Sequence, residues 1–107
     1  MSAEIRTERA SFTAVTRDLS EGGAGLLTSR GLTEGEEIAL GLFLVVDDVE
    51  EHIPPLWVKA RVVWATENDH GEHSHSAGVR FQVITDEQKQ WLRQILKYLE
   101  EHRAPSR

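Results

Sequence analysis

Residues 56–65, with the sequence LWVKARVVWA, carry the most regular pattern in this chain. One alternating set of side chains is entirely apolar, while the other set includes a lysine and an arginine. The apolar set is Leu56, Val58, Ala60, Val62 and Trp64. Successive side chains of a β-strand point to opposite faces of the sheet, so this alternation predicts a strand with one face in the core. The same alternation places Trp64 among the core residues.

Four other segments favour β-strands. Residues 11–19 and 24–28 contain β-branched and apolar side chains, and a strong turn signal, SEGG at residues 20–23, separates them. Residues 36–46 are apolar or small on both alternating faces, which indicates a strand covered on both sides. Residues 75–83 alternate again and form the fifth predicted strand.

A helix is predicted to follow the strands. Thr85 and Gln88 form a capping-box pattern, which marks the start of a helix. Apolar side chains at helical spacing then extend the helix to about His102, and they are Trp91, Leu92, Ile95, Tyr98 and Leu99. Short loops favour antiparallel strand pairing, because parallel neighbours need long crossovers. We therefore predict a mostly-β fold in which a small antiparallel barrel or sandwich precedes a C-terminal α-helix.

The chain divides into three parts. Residues 1–10 are polar and lack a clear period, which predicts a flexible N-terminal arm. Residues 11–102 form the predicted domain, and residues 103–107 form a tail. A length of 107 residues, with 39% apolar residues, fits one domain with a single core.

Composition narrows the class of protein. The absence of cysteine excludes disulfides and thiolate metal sites and makes the cytoplasm the simplest compartment. No apolar run approaches the roughly 20 residues that span a bilayer, so we predict no membrane insertion. A net charge of −6 argues against nucleic-acid binding but is compatible with a small dianionic ligand, which responds to local arginines. Composition sets no oligomeric state.

Enzymatic activity is not predicted. The chain contains no cysteine nucleophile and no Gly-x-Ser-x-Gly elbow. It also contains no phosphate-cradling glycine loop ahead of a helix. We therefore expect neither catalysis nor a cofactor.

Two polar segments raise the question of metal binding. Residues 69–75 hold three histidines and two carboxylates, which are ligands for zinc or nickel. Residues 47–51 hold four carboxylates but lack the glycine and the ligand spacing of an EF-hand loop. We favour solvated loops for both segments, so no metal site is predicted.

The segment at residues 18–23, DLSEGG, resembles the second signature of the PilZ family, which is Asp or Asn, any residue, Ser, two residues of any kind, then Gly. Three further segments resemble the family in the same order along the chain. Residues 32–38 are similar to its loop into the third strand, residues 60–64 to its fourth strand, and residues 77–81 to its Gly-Val-x-Phe strand. The resemblance covers about residues 11–102.

The resemblance implies a six-stranded β-barrel with a C-terminal helix, and cyclic di-GMP as the ligand. It also implies a first signature, Arg-x-x-x-Arg, on a flexible N-terminal segment. Here Arg6 and Arg9 are separated by two residues, and only eight residues lie between Arg9 and Asp18, so one strand is missing. Three explanations are open: a domain that starts late, residues upstream of Met1, or a partner that completes the barrel.

Six residues form the candidate ligand site: Arg6, Arg9, Arg17, Asp18, Ser20 and Gly23. An arginine fork can donate two parallel hydrogen bonds to guanine or to phosphate. Arg6 and Arg9 are either the arginines that bind the ligand or solvated charges on the N-terminus. Arg17 is either a substitute arginine for the site or faces water. Asp18 can accept from guanine N–H groups, and it can also cap the turn locally, as Ser20 can.

Two function hypotheses follow. The first is a PilZ-type receptor module that binds cyclic di-GMP and acts through contacts with a protein partner. The alternative is a degenerate PilZ-like adaptor that does not bind the nucleotide and works only by protein contact, through the helix face or through the barrel edge that the missing strand leaves open. A metal-binding module that uses the histidine loop is a remote third.

Overall fold

The computed structural model describes residues 1–43, 55–68, 74–82 and 84–101. These residues form a closed six-stranded antiparallel barrel followed by one helix, as predicted, with the strand order β1-β2-β3-β6-β5-β4. The elements are β1 (Ser2–Arg6), β2 (Ser11–Leu19), β3 (Gly23–Thr28), β4 (Glu37–Phe43), β5 (Leu56–Glu67), β6 (His75–Phe81) and α1 (Asp86–Glu101).

Strand β1 lies within the residues predicted to form a flexible arm, so that prediction is wrong. The strand pairs with β2 on one side and with β4 on the other, and Ala3 and Ile5 are buried in the core. A tight turn then leads into β2. In this turn, Thr7 N–H donates to the Ala10 carbonyl at 2.8 Å. Two inward apolar side chains are too few to establish a period in the sequence.

The barrel closes with the chain's own first strand. The expectation of a missing strand is therefore wrong, and so is the expectation of an open barrel edge. All six neighbouring strand pairs are hydrogen-bonded, so the strands that the structure describes leave no unpaired edge for another chain to extend.

The core fills the barrel interior and the contact between the barrel and the helix. Burying one large aliphatic side chain stabilises a fold by about 1.5–3 kcal/mol. The largest fully buried apolar side chains are Ile5, Leu26, Leu40, Leu42, Val62, Leu92 and Ile95. Because Leu92 and Ile95 belong to α1, the helix is an integral part of the core.

The predicted capping box starts α1. Thr85 Oγ1 accepts from Gln88 N–H at 3.1 Å, and Gln88 Oε1 accepts from Thr85 N–H at 2.8 Å. Gln88 Nε2 also donates to the Trp57 carbonyl at 2.8 Å, which links the first turn of the helix to β5.

Two β-bulges interrupt the ladder. On β2, pairing moves from Thr16 to Asp18, so Arg17 is the extra residue. On β5, pairing moves from Val62 to Trp64, so Val63 is the extra residue. A bulge changes the face to which the following side chains point. Trp64 accordingly lies on the outer surface, 37% exposed, and its predicted place in the core is wrong.

Several sequence-based expectations concern residues outside the described ranges. They include the acidic run at residues 47–51, most of the histidine segment at 69–75, and the tail at 103–107. Within the described ranges, no group of three or more potential metal-ligand side chains comes together. Helix α1 is too short and too polar to span a bilayer.

Candidate ligand pocket beside the β2–β3 turn

A surface pocket of about 470 Å³ lies beside the turn that joins β2 to β3. The end of β2 and the turn form one side, and the bulged part of β5 forms the other. Between them, the floor is the backbone of β3 and β6. The polar and aromatic side chains that line the pocket are Arg17, Asp18, Ser20, Trp64 and Arg80.

Glycines form the floor because they leave space for larger neighbours. Across four neighbouring strands, Asp18 of β2 pairs with Gly25 of β3, and Gly25 pairs on its other side with Gly78 of β6. Gly78 in turn pairs with Trp64 of β5. A Cβ atom on Gly25 would lie 2.8 Å from both carboxylate oxygens of Asp18, and a Cβ atom on Gly78 would collide with the Trp64 indole. The two glycines therefore allow a carboxylate and an aromatic ring to lie over the middle of the sheet.

Asp18 holds the local backbone and retains acceptor capacity. Its Oδ1 accepts from Gly25 N–H at 2.9 Å, and its Oδ2 accepts from Arg17 Nε at 3.4 Å. An ionised carboxylate offers about four acceptor sites, so a ligand can still donate to it. The bond from Gly25 N–H crosses to β3 and is not the local turn cap that the sequence suggests for Asp18. The side chain is 68% exposed, which is compatible with ligand contact.

The Ser20–Gly23 turn is fixed by its own hydrogen bonds. Ser20 N–H donates to the Gly23 carbonyl at 2.9 Å, and Ser20 Oγ accepts from Gly22 N–H and Gly23 N–H, each at 3.3 Å. The Gly22 carbonyl accepts from Phe81 N–H at 2.8 Å, which joins the turn to the end of β6. A side chain on Gly23 would collide with the Val79 carbonyl, so glycine is required there.

Arg17 lines the pocket, with about half of its side chain exposed to solvent. Its guanidinium carbon is 5.7 Å from the centroid of the Trp64 ring, within the range of a cation–π contact. Arg17 is the residue that the β2 bulge inserts, and the bulge is therefore what directs its side chain toward β5.

The structure does not bring Arg6 and Arg9 to this pocket. Arg6 pairs with Ser11, and because each strand residue advances about 3.3 Å, it lies roughly 20 Å along the barrel from Asp18. The Arg6 guanidinium carbon lies 4.2 Å from the Trp57 ring centroid. Arg9 lines a separate depression with Thr7, Glu8, Glu36 and Glu37.

Sequence reasoning missed two residues of the pocket. The alternation of residues 56–65 predicts Trp64 in the core, because the pattern does not reveal the bulge at Val63. Arg80 belongs to the alternating pattern of residues 75–83, which gives no sign that it lies beside the turn. The link is the cross-strand pairing of Arg80 with Gly23, which no local pattern reveals.

Comparisons with known proteins agree on one family. The model of the PilZ domain matches residues 1–98. No curated protein matches the sequence significantly.

Three solved structures share the fold. The Bacillus subtilis inhibitor of motility, MotI/DgrA, is 20% identical with a TM-score of 0.69, and the match covers 95% of this chain and 47% of that one. The PilZ domain of CeSA from a cellulose-synthesizing bacterium is 20% identical with a TM-score of 0.61, over 92% and 91% of the two chains. PlzA of Borreliella burgdorferi, solved in complex with c-di-GMP, is 10% identical with a TM-score of 0.60, over 99% and 48%.

The chain thus spans about half the length of MotI/DgrA and of PlzA, but nearly the whole of the CeSA domain. The family match extends over β1 to β6 and most of α1, including the strand that the sequence pattern did not reveal. This chain belongs to the PilZ domain family.

Proposed function

We propose that this domain is a receptor module that binds cyclic di-GMP in the pocket beside the β2–β3 turn and acts through contact with a protein partner. One observation carries the proposal. The signature residues Asp18, Ser20 and Gly23 line the same pocket as an exposed tryptophan and two arginines. Membership of the PilZ family supports the choice of ligand, and the related PlzA is a protein solved with c-di-GMP bound.

A guanine base suits the aromatic side of the pocket. Bases stack on aromatic rings and on the planes of arginine side chains. Trp64 offers a partly exposed ring with Arg17 already over it, and the contact between them is a loose 5.7 Å. A base that enters between them would replace one cation–π contact with two stacking contacts.

The turn suits the polar edge of the same base. Guanine carries N–H donors, and Asp18 is an ionised acceptor whose position is fixed by the Gly25 amide. A hydrogen bond that involves a charged group contributes about 1.5–3 kcal/mol. The existing contact between Arg17 and Asp18 is long and exposed, so its loss on ligand binding costs little.

The proposal is tested by isothermal titration of the purified domain with cyclic di-GMP. Asp18→Ala is expected to weaken binding by about 10-fold or more, because it removes a charged acceptor. The matched control is the double variant Arg6→Gln/Arg9→Gln, which also changes two charged side chains, but away from the pocket. The control is expected to bind within about twofold of the parent domain. Thermal unfolding of each variant verifies that it remains folded.

The alternative is an adaptor that does not bind the nucleotide. The observation in its favour is that Arg6 and Arg9, the arginines closest to the family's first signature, lie away from the turn. Absence of heat at high ligand concentration, with a folded domain, would support this alternative. Because the described strands close the barrel, such an adaptor would use an outer face of the barrel or of α1.

The proposed setting is the cytoplasm, and the proposed role is signal reception without catalysis. A receptor of this kind acts by binding the ligand more tightly in one of two states, so its partner must distinguish those states. The partner is a protein in this proposal, and a pull-down with and without cyclic di-GMP is the direct search for it.

A further inference from the structure

We infer that Arg80 and Arg17 together form the phosphate-binding pair of this pocket. The inference rests on the proposed function, because it specifies how the same pocket recognises its ligand. It assigns the two phosphates of a cyclic dinucleotide to two arginines that come from β2 and β6.

The position of Arg80 is set by the β3–β6 ladder. Arg80 pairs with Gly23 of the signature turn, and its side chain is exposed on the outer face. Gly23 has no side chain, so nothing on β3 at that position stands between Arg80 and the turn. Arg17 lies on β2 across the pocket, so the two guanidinium groups reach the pocket from separate strands.

Arg80 is not neutralised by an acidic neighbour. On its other side it pairs directly with Arg61 of β5, and like charges at directly opposed positions disfavour strand pairing. Arg61 is compensated, since its Nη2 lies 2.7 Å from Glu37 Oε1 and its Nη1 donates to the Gly35 carbonyl at 3.2 Å. Among the described residues, Arg80 has no ion pair, so a bound anion would supply the compensation that it lacks.

The other carboxylate of the signature segment, Glu21, is already engaged. Glu21, within the signature turn, accepts from Arg93 Nε of α1 at 2.6 Å and does not line the pocket. Asp18 is the single carboxylate among the lining residues, against the guanidinium groups of Arg17 and Arg80. The pocket is therefore locally cationic in a chain whose net charge is −6. A local field of this kind attracts an anionic ligand despite the overall charge.

Two guanidinium groups on separate strands also imply a preference among nucleotides. Each can donate in a fork to one phosphate, and a ligand must carry two spaced phosphates to use both. Cyclic di-GMP has two phosphates, GMP has one and guanosine has none. Affinity is expected to fall in that order, and removing one arginine is expected to reduce the difference between the first two.

The test compares Arg80→Gln with Arg61→Gln in titrations with cyclic di-GMP. These two arginines are direct neighbours on the same face, but only Arg80 lines the pocket. We expect Arg80→Gln to raise Kd for cyclic di-GMP about 10-fold or more, and Arg61→Gln to change it less than about twofold. Arg80→Lys, which keeps the charge but loses the fork, is expected to fall between the parent domain and Arg80→Gln.

Guanosine provides the second measurement, because it carries the base without phosphate. Its weaker affinity is expected to be the same in the parent domain and in Arg80→Gln. If the parent domain and Arg80→Gln bind cyclic di-GMP equally well, the assignment of the phosphates to Arg80 and Arg17 is overturned. The receptor function would still stand. A folded parent domain that binds no cyclic di-GMP would overturn the receptor function itself. The two failures are therefore distinguishable.

Discussion

Trp57 and Trp64 lie on the same strand, β5, and each covers a glycine of a neighbouring strand and has an arginine over its ring. Trp57 covers Gly41 of β4, where an added Cβ would lie 2.8 Å from the ring, and the Arg6 guanidinium carbon is 4.2 Å from its centroid. Trp64 covers Gly78 of β6, and its arginine, Arg17, is 5.7 Å away. The same residue types thus form two stacks on one barrel.

The surroundings of the two stacks differ. Around Trp57 the ladder is regular, the ring of Phe43 packs edge-on at a centroid distance of 6.3 Å, and Glu4 lies 3.5 Å from Arg6. Around Trp64 the ladder is irregular, because β5 itself carries a bulge at Val63, and β2 on the other side of the pocket carries one at Arg17. A tryptophan with an arginine over its ring therefore does not distinguish the two places by itself. In the proposed function, the distinction comes from the bulges and from Arg80, which has no ion pair among the described residues.

Removing each tryptophan should separate the two stacks most clearly. We expect Trp57→Ala to lower the free energy of unfolding by about 2–4 kcal/mol, because a packed, partly buried ring is lost. Trp64→Ala is expected to cost about 1 kcal/mol or less, because this ring borders solvent. Thermal unfolding measures both, since 1 kcal/mol shifts the midpoint by about 4–8 °C in a domain of this size. Equal losses would contradict the distinction between a structural stack and a binding stack.

Substitution of the glycines beneath the rings should affect ligand affinity in the opposite order. The change under Trp64 should weaken binding more than the change under Trp57. Gly78→Ala forces the Trp64 indole out of its position, because the new methyl group would occupy the same space. We expect it to weaken cyclic di-GMP binding by about 10- to 100-fold, the equivalent of one lost base stack of about 1–3 kcal/mol. Gly41→Ala is the control, because the added Cβ would also force a tryptophan ring, that of Trp57 at 2.8 Å, to shift. We expect it to leave affinity within about twofold. Equal affinity in the parent and Gly78→Ala would show that Trp64 takes no part in binding.

Part of the fold could be predicted from the sequence alone. Strand β5, the capping box at Thr85 and the signature at residues 18–23 follow from local patterns, namely alternation and fixed spacing. Strand β1 did not, because only Ala3 and Ile5 point inward and two positions establish no period.

The candidate site was predictable only in part, for a different physical reason. Its signature turn is contiguous in the chain, so Asp18, Ser20 and Gly23 were identified together. Trp64 and Arg80 reach the site through strand register, which depends on partner strands far away in sequence and on a bulge that the alternation pattern does not reveal. A one-residue bulge before Trp64 was enough to turn a predicted core residue into part of the pocket wall.

The smallest expected effect concerns the arginines of the two stacks. Arg6→Gln removes a close cation–π contact and an ion pair with Glu4, so we expect it to lower the free energy of unfolding by about 0.5–1 kcal/mol. Arg17→Gln should cost less, because its contact with Trp64 is longer and its side chain is 52% exposed. Affinity should respond in the reverse order, with cyclic di-GMP binding unchanged in Arg6→Gln and weakened in Arg17→Gln. A variant pair in which stability and affinity fall together would mean that the two stacks serve the same purpose, and the difference in their surroundings would then carry no functional information.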